Sequence, residues 1–483
     1  MSVNTPINTN SSSTGASTLN NVSSTYGWDT VFAMPIADVN SVIAAKKSSP
    51  TSFQCQIQSG MSIDGTFSDW QITQGGDGKL IHMLVPVTTI SLTAQGKTFN
   101  ANNLGALIEV ELHYIPHTEQ PSDVNQGTLH NLVLKTSSTS PSEKVVTVLN
   151  LIVPETEVLD PMLSIYMKAG LEMWFNENLD QFEHVFATVN LNRKADQGQW
   201  EWLYPTYTGY AYIDRDSEAD CLLGILCMTQ NRSADSLAEQ ISEAAIPLGS
   251  KAGFLISAER FLTCLVMPQL ATSFPGSKFS DFELYSNLLG IRNTGDLSMP
   301  PVEESGSTYH PVMKTFNFEI DGTEVKVYGY SETDVSPGVT AWCESTHWYQ
   351  ITLGTNSSGE QTLVWKESQT AIENHGVNKA AWVEITEEIA TVVLVIVAAV
   401  FTAATDGAGA IVVALIGGLI TGAAANAANI EALVAKNDAP SMDLLVLNST
   451  DPIKWSDSKD FDLNYASLNE SLQLGGDASF SGN

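Results

Sequence analysis

Two short segments carry residue types and spacings that other proteins use to bind phosphate or a metal ion. Gly75-Gly-Asp-Gly-Lys79 is glycine-rich and ends in lysine, as phosphate-binding loops do. Asp214-Arg-Asp-Ser-Glu-Ala-Asp220 places carboxylates at alternate positions, as the start of a calcium loop does. Each segment nevertheless lacks part of the pattern that its chemistry requires.

The glycine segment lacks the spacing of a phosphate-binding loop and precedes a strand pattern, so it predicts a hairpin turn. The acidic segment has Ala219 where a calcium loop needs glycine. It also has Ile225 where the closing bidentate glutamate would stand. We therefore interpret it as a solvated acidic turn.

The other candidate nucleophiles and metal ligands form no recognisable set. His113 and His117 are separated by Pro116, and no Gly-x-Ser-x-Gly or cysteine-centred nucleophile signature occurs. The 5 cysteines are an odd number scattered along the chain, which predicts buried thiols and folding in a reducing compartment. The sequence thus predicts a protein that is not an enzyme and needs no metal or cofactor.

Charge narrows the classes of partner. The 483 residues include 54 acidic and 22 basic ones, a formal net charge of -32. Nucleic acid is excluded because phosphate binding depends on Lys and Arg, and an anionic bilayer surface is repelled. A lipid partner would therefore be taken up whole. The N-terminus lacks a secretory signal, which predicts production in the cytoplasm and a disordered polar tail over residues 1–25.

The periodicity of apolar residues predicts the elements that must position any site. From Phe53 to Val153 it is mostly two, which is typical of an antiparallel meander. Asp160-Pro161 then predicts the start of an amphipathic helix that reaches Phe175. Asp321-Gly322 predicts a tight hairpin turn. Each half of the chain has the same order of predicted elements: a helix, a meander, a long helix and closing strands. This repetition suggests two modules, residues 26–245 and 246–483.

A long apolar stretch dominates the second module. Between Glu388 and Glu431 the only charged residue is Asp406. Each half of this stretch is shorter than the roughly 20 residues that a spanning helix needs. We therefore predict apolar helices within 385–433 that are buried in the protein, with no stable transmembrane span. Conditional membrane insertion and a ligand-lining or partner-binding surface remain alternatives.

Several segments carry a resemblance to a known family. They are Tyr26-Gly-Trp-Asp-Thr-Val-Phe32, Trp70-Gln-Ile-Thr-Gln-Gly-Gly-Asp-Gly78, Phe186-Ala-Thr-Val-Asn-Leu-Asn192, Leu223-Gly-Ile-Leu-Cys-Met-Thr229, Ile453-Lys-Trp-Ser-Asp-Ser-Lys-Asp-Phe-Asp-Leu463 and Leu472-Gln-Leu-Gly-Gly476. Together they resemble the clostridial forty-seven-kilodalton protein family, which is encoded in OrfX-type botulinum neurotoxin clusters and related insecticidal toxin loci. The resemblance is collinear over nearly the whole chain after residue 25.

The resemblance implies an α+β fold of the tubular lipid-binding (TULIP) superfamily, akin to bactericidal/permeability-increasing protein. Long helices would be wrapped by strongly curved antiparallel sheets, with two modules in an elongated molecule and a tubular apolar cavity. It also implies a non-enzymatic accessory protein of a bacterial toxin system.

The leading functional prediction is therefore an accessory protein that binds lipid, such as a fatty acid, or another apolar ligand. Its acyl chains are expected to lie against Trp174, Phe175, Val393, Val397, Phe401 and Leu415. One alternative is a scaffold or chaperone that binds sister proteins of the toxin cluster without lipid. Another is a pore-former that inserts the apolar hairpin 389–425 into a membrane. Release from the cell together with a toxin complex is also expected.

Overall fold

The computed structural model describes residues 22–116, 129–134, 145–155, 159–179, 188–190, 201–203, 205–355, 361–400 and 458–480. In these ranges the strands form three large sheets and one separate hairpin. All pairings between the described strands are antiparallel.

The eight-stranded sheet comes from the region of alternating apolar residues. Its strands are β2 (Ser52–Gln58), β3 (Met61–Phe67), β4 (Gln71–Asp77), β5 (Leu80–Ala94), β6 (Lys97–Pro116), β7 (Leu129–Leu134), β8 (Val146–Ile152) and β9 (Thr188–Asn190). The path runs β2-β3-β5-β6-β7-β9, with β4 beside β5 and β8 beside β6. One residue in two is buried along β5, as expected for a sheet with one dry face.

The six-stranded sheet joins distant parts of the chain. It contains β1 (Thr30–Pro35), β10 (Pro205–Ile213), β11 (Leu222–Thr229), β12 (Ala252–Ile256), β22 (Ser458–Asn469) and β23 (Ser471–Phe480). The order is β10-β11-β1-β12-β23-β22. All residues of β11 and β12 are buried, because both faces of this sheet are covered.

The seven-stranded sheet is formed by the part of the chain between β12 and β22. It contains β13 (Phe282–Leu284), β14 (Gly290–Asn293), β15 (Leu297–Ser298), β18 (Val312–Asp321), β19 (Glu324–Ser336), β20 (Val339–Thr355) and β21 (Gln361–Lys379). The path is β13-β14-β18-β19-β20-β21, with β15 beside β18. The short strands β16 (Val302–Glu304) and β17 (Ser307–Tyr309) pair separately. The predicted Asp321-Gly322 turn is confirmed, and Gly322 has a φ of 61°.

The helices within the described ranges are few and short. They are α1 (Ile36–Lys46), α2 (Pro161–Glu177), α3 (Ala258–Arg260), α4 (Met267–Ser273) and α5 (residues 387–400); a π-helical segment, Phe261–Val266, joins α3 to α4. The structure also has 3-10 turns at Glu201–Leu203, Glu218–Asp220 and Phe279–Asp281. The predicted start of α2 is confirmed, because the Asp160 carboxylate accepts a hydrogen bond of 2.8 Å from the Met162 backbone N–H.

The predicted fold class, long helices wrapped by curved sheets in a TULIP-like tube, is wrong. Among the described residues the longest helix, α2, has 17 residues, whereas β6 has 20 and β21 has 19. A helix rises about 1.5 Å per residue and a strand about 3.3 Å, so α2 spans well under half the length of these strands. The described architecture is therefore rich in sheet, with short helices packed against it.

The structure also bears on the predicted modules. The six-stranded sheet takes β1, β10 and β11 from residues 26–245 and β12, β22 and β23 from residues 246–483. The chosen boundary thus falls between strands of one sheet, and the division into two modules stays a prediction. Most of the tail 1–25, the break at Asp406 and most of the hairpin 389–425 lie outside the described residues. No helix among those that the structure describes is long and apolar enough to cross a membrane.

A row of small residues crosses the six-stranded sheet. Gly224, Ala33, Gly253 and Gly475 are register partners on β11, β1, β12 and β23. The segment 237–250, here called the strap, lies over this row, since a Cβ on Gly253 would be 2.0 Å from the Ala245 carbonyl oxygen. Ile241 and Ala245 of the strap belong to a second apolar core beneath it.

Candidate functional site

Two of the predicted ligand contacts, Trp174 and Phe175, lie inside an aromatic cluster. Both are buried on α2. The Trp174 ring centroid is 5.2 Å from that of Phe67, and Phe175 meets Trp70 edge to face at 5.7 Å. Phe53 lies 6.1 Å from Trp174. These rings fill the space between α2 and the eight-stranded sheet, and a role of Trp174 and Phe175 in lipid contact stays a prediction.

The next two predicted contacts, Val393 and Val397, lie on α5. They are buried together with Val392, Ile396 and Val400, the spacing of one helical face. The opposite face is exposed and mixed: Glu387 and Thr391 lie on its first turns, and Leu394, whose side chain is 62% exposed, and Ala398 lie further along. Phe401 and Leu415 lie outside the described residues. The buried face of α5 belongs to the same continuous core as Trp174 and Phe175.

The structure brings together the two segments that carried the first chemical signals. The predicted hairpin turn at Gly75–Lys79 is confirmed between β4 and β5. Asp214 of the acidic segment accepts hydrogen bonds from the Gly75 N–H at 3.1 Å and the Tyr212 hydroxyl at 2.9 Å. The Cys221 Sγ lies 3.4 Å from the same carboxylate oxygen. We call these four residues the Tyr212 cluster.

The protonation states of the Tyr212 cluster suit a structural tie. Burial, followed by hydrogen bonds with Cys221 and Asp214, raises the pKa of Tyr212. Burial acts to raise the pKa of Asp214, but hydrogen bonds from Tyr212, Gly75 and Cys221 outweigh it and lower that pKa. The phenol therefore stays a donor and the carboxylate an acceptor, with no proton transfer between them. Within the described residues, no group of three or more His, Cys, Asp or Glu could hold a metal ion.

Glycine is required at position 75 for two reasons. Its φ is 106°, in the left-handed region that side chains rarely adopt. A Cβ there would also lie 2.3 Å from the His82 Nδ1. His82 in turn places its Nε2 at 3.1 Å from the Glu109 carboxylate on β6. The hairpin of β4 and β5 is thus joined to the β10–β11 connection by close packing and polar contacts.

A second polar network surrounds Asp29 and was not predicted. Asp29 is 1% exposed. Its Oδ2 accepts hydrogen bonds of 2.8 Å from both the N–H and the hydroxyl of Thr229, and its Oδ1 accepts one of 2.9 Å from Arg232 Nη1. Arg260 Nε lies 3.9 Å from Oδ2. We call these residues, with Glu259, the Asp29 network.

The Asp29 network holds β1, β11 and the α3 region together. Arg232 also donates to Glu259 Oε2 at 2.6 Å, so both of its partners are carboxylates. Arg260 donates to Gln230 Oε1 at 2.7 Å and lies 5.6 Å above the Trp202 ring. The backbone N–H of Ser257 donates to the Asp29 carbonyl at 2.9 Å. The carboxylate is saturated by protein donors, so its role is to fix the packing of these elements.

One sequence signal could have revealed this network. Asp29 stands directly before the apolar strand Thr30–Pro35, and a charge in such a place must be paired. Basic residues are scarce in this chain, at 22 of 483, so the few that exist are the natural candidates. The sequence could not show that Arg232 and Arg260, more than 200 positions away, are those partners.

The cysteines occupy the places that the sequence predicted for thiols. All five are free; Cys55, Cys221, Cys227 and Cys343 are buried, and Cys264 is partly exposed. Burial raises the pKa of Cys227 to about 12. These thiols thus act as small apolar side chains in the core.

The chain is similar to a known protein family over nearly its whole length. A model of the OrfX-like family, described as Protein OrfX2/OrfX3/P47, matches residues 25–476. Protein OrfX3 of Paraclostridium bifermentans is 33% identical over 484 residues, with 94% of this chain and 98% of that protein covered. Protein OrfX3 of Clostridium botulinum (strain Kyoto / Type A2) is 30% identical over the same shares of the two chains.

A solved structure agrees with this assignment. The structure of P47 from Clostridium botulinum A2 superposes with a TM-score of 0.66 at 17% identity, covering 95% of this chain and 99% of P47. That likeness concerns the fold alone. The resemblance indicated by the sequence motifs is confirmed, and the chain belongs to the OrfX2/OrfX3/P47 family.

Proposed function

We propose that this chain is a non-enzymatic accessory protein of a bacterial toxin gene cluster and that it binds lipid or another apolar ligand. Membership of the OrfX2/OrfX3/P47 family supports the first part. In this proposal the protein is made in the cytoplasm, leaves the cell with a toxin complex, and meets sister proteins of the same cluster. The part of the molecule that supports ligand binding is α5.

The observation that carries ligand binding is the exposed apolar part of α5. A surface helix normally presents polar residues to water opposite its buried stripe. In α5 the first outward positions are polar, but beyond Thr391 the exposed residues are the apolar Leu394 and Ala398. Just before this helix the side chain of Trp382 is 74% exposed. Exposed apolar surface of this kind marks sites for ligands, membranes or partner proteins.

Charge favours a lipid taken up singly over a membrane surface. Glu384, Glu387 and Glu388 are exposed at the start of α5, and the chain as a whole carries a net charge of -32. These charges repel an anionic bilayer but do not oppose an uncharged acyl chain. We place that chain along the exposed Leu394. Val393 and Val397 lie on the buried face of the same helix and support it from the core side, and Phe401 and Leu415 follow further along the sequence.

Leu394→Asp is expected to weaken uptake of a fluorescent fatty acid about tenfold or more, because it puts a charge on the proposed contact surface. The matched control is Leu248→Asp, since Leu248 is fully exposed in the strap before β12. Fluorescence titration of wild type and both variants measures the effect. Equal affinity in all three proteins would remove α5 from the binding surface.

The same variants separate ligand binding from the scaffold alternative. A pull-down with the neighbouring gene products tests whether Leu394→Asp loses a protein partner. Retained fatty-acid uptake with loss of a sister protein would favour the scaffold. Loss of uptake with the partners retained supports the proposal.

A further inference from the structure

Three buried polar atoms in the seven-stranded sheet have no hydrogen-bond partner among the described residues. They are His347 Nε2, Trp365 Nε1 and Ser368 Oγ. His347 is 2% exposed. Its ring stacks on that of Tyr349 at 6.3 Å, and Tyr349 meets Trp365 edge to face at 6.4 Å. We call these four residues the His347 site.

Two register shifts between β20 and β21 lie beside these atoms. Thr346 pairs with Ile372, Trp348 with Gln369 and Tyr349 with Glu367, so β21 has two more residues than β20 across this stretch. Ser368 is the extra residue at one of these two bulges. A bulge re-aims side chains and interrupts the ladder, and bulges are frequent beside functional sites. Here two bulges lie next to each other beside His347.

An unpaired buried polar atom destabilises a folded protein, so native structures retain few of them. Trp365 Nε1 can only donate, and the Ser368 hydroxyl can donate or accept. Burial lowers the pKa of His347, although the charges of Glu373 and Glu367 oppose that effect, so the imidazole is neutral. A ligand group that forms hydrogen bonds with these three atoms must therefore include an oxygen that accepts from Trp365 Nε1.

The surrounding charges determine what kind of oxygen fits. Glu367 pairs with Tyr349 and Glu373 with Ser345, and within the described part of the chain these two carboxylates are the charges that act on His347. They would repel an anionic oxygen. We propose that the His347 site binds the uncharged, oxygen-bearing end of an apolar ligand, such as a hydroxyl or an ester carbonyl.

The rest of the ligand would have to enter the apolar core beside these strands. Val325 pairs with Tyr349 and Val327 with His347 on the neighbouring strand. Both valines and Ile351 are buried in the continuous core that includes the buried face of α5. This inference rests on the proposed binding of an apolar ligand and adds the class of its polar end: a monoacylglycerol or long-chain alcohol rather than a phospholipid acid.

Equilibrium dialysis with two matched probes tests the site. The probes are 1-monooleoylglycerol and 1-oleoyl lysophosphatidic acid, which share the acyl chain and differ in the charge of the head. Trp365→Phe and Ser368→Ala each remove one hydrogen-bonding atom with little change in shape. Trp342→Phe is the control, because Trp342 lies on β20 at a position of opposite parity to His347 and therefore on the other face of the sheet.

Wild type should bind 1-monooleoylglycerol more tightly than the lysophosphatidic acid. Trp365→Phe and Ser368→Ala should each weaken 1-monooleoylglycerol about three- to tenfold, and Trp342→Phe should not. Unfolding curves confirm that each variant is folded. If wild type binds the probe and both site variants bind it equally well, water alone satisfies the site and this inference fails while the proposed function stands. If wild type binds neither probe, both fail.

Discussion

Asp29→Ala is expected to lower the free energy of unfolding by about 3–5 kcal/mol, because removing one member of a buried ion pair leaves the other uncompensated. Arg260 would keep its charge at a buried position, and the Thr229 N–H and hydroxyl would lose their acceptor. Asp29→Asn keeps the shape of the side chain but removes the charge, so it should destabilise less. Urea denaturation followed by tryptophan fluorescence measures both changes.

The matched control for this prediction is Asp216→Ala. Asp216 is an exposed carboxylate in the acidic turn. Its removal is expected to change the unfolding free energy by less than about 0.5 kcal/mol. If Asp29→Ala proved as mild as this control, the Asp29 network would not be what joins β1, β11 and the α3 region.

Gly253→Ala is expected to destabilise the protein by about 3 kcal/mol, since a methyl group has no room at this position. The added Cβ would be 2.0 Å from the Ala245 carbonyl oxygen and 3.1 Å from the Ile246 Cα, all backbone atoms of the strap. The strap would therefore have to move away from the sheet. Its contacts with β23, such as the hydrogen bond from Gln473 Nε2 to the Ala244 carbonyl oxygen, would be lost.

Gly295→Ala provides the comparison, because nothing lies within 4 Å of a Cβ added there. Urea denaturation again gives the free energies, and limited proteolysis shows whether the strap is released. A Gly253→Ala protein with unchanged stability and an uncut strap would contradict the close packing of strap and sheet.

Local patterns predicted the local elements well. The Asp160 N-cap, the apolar stripe of α2 and the Asp321-Gly322 turn depend on residues close in sequence, and all were confirmed. The hairpin at Gly75–Lys79 was confirmed for the same reason. Each of these elements is stabilised by residues that are close to one another in the sequence.

The arrangement of the sheets could not be predicted in this way. The six-stranded sheet places β1 between β11 and β12 and then adds β23 from the far end of the chain. Such pairings depend on contacts hundreds of residues apart, which alternation along one strand does not encode. The predicted fold class came from the family resemblance and was wrong, because the longest described helix has 17 residues whereas strands reach 20.

In the candidate sites, too, local features could be predicted from the sequence and long-range contacts could not. The burial of Val393 and Val397 on one face of α5 follows from their spacing. The His347 site depends on a register shift between β20 and β21, and the Asp29 network on arginines distant in sequence. The position of Asp29 before an apolar strand signals that it needs a partner, but the sequence shows neither which arginines supply it nor where the register shifts.

Organic extraction of freshly purified protein, followed by mass spectrometry of the extract, tests most directly whether this protein binds an apolar ligand. We expect lipid in stoichiometric amount, enriched in uncharged acyl species over the lipids of the host cell. Extraction of the Leu394→Asp protein should yield clearly less. An extract free of lipid, together with no uptake of 1-monooleoylglycerol by the same preparation, would contradict the account.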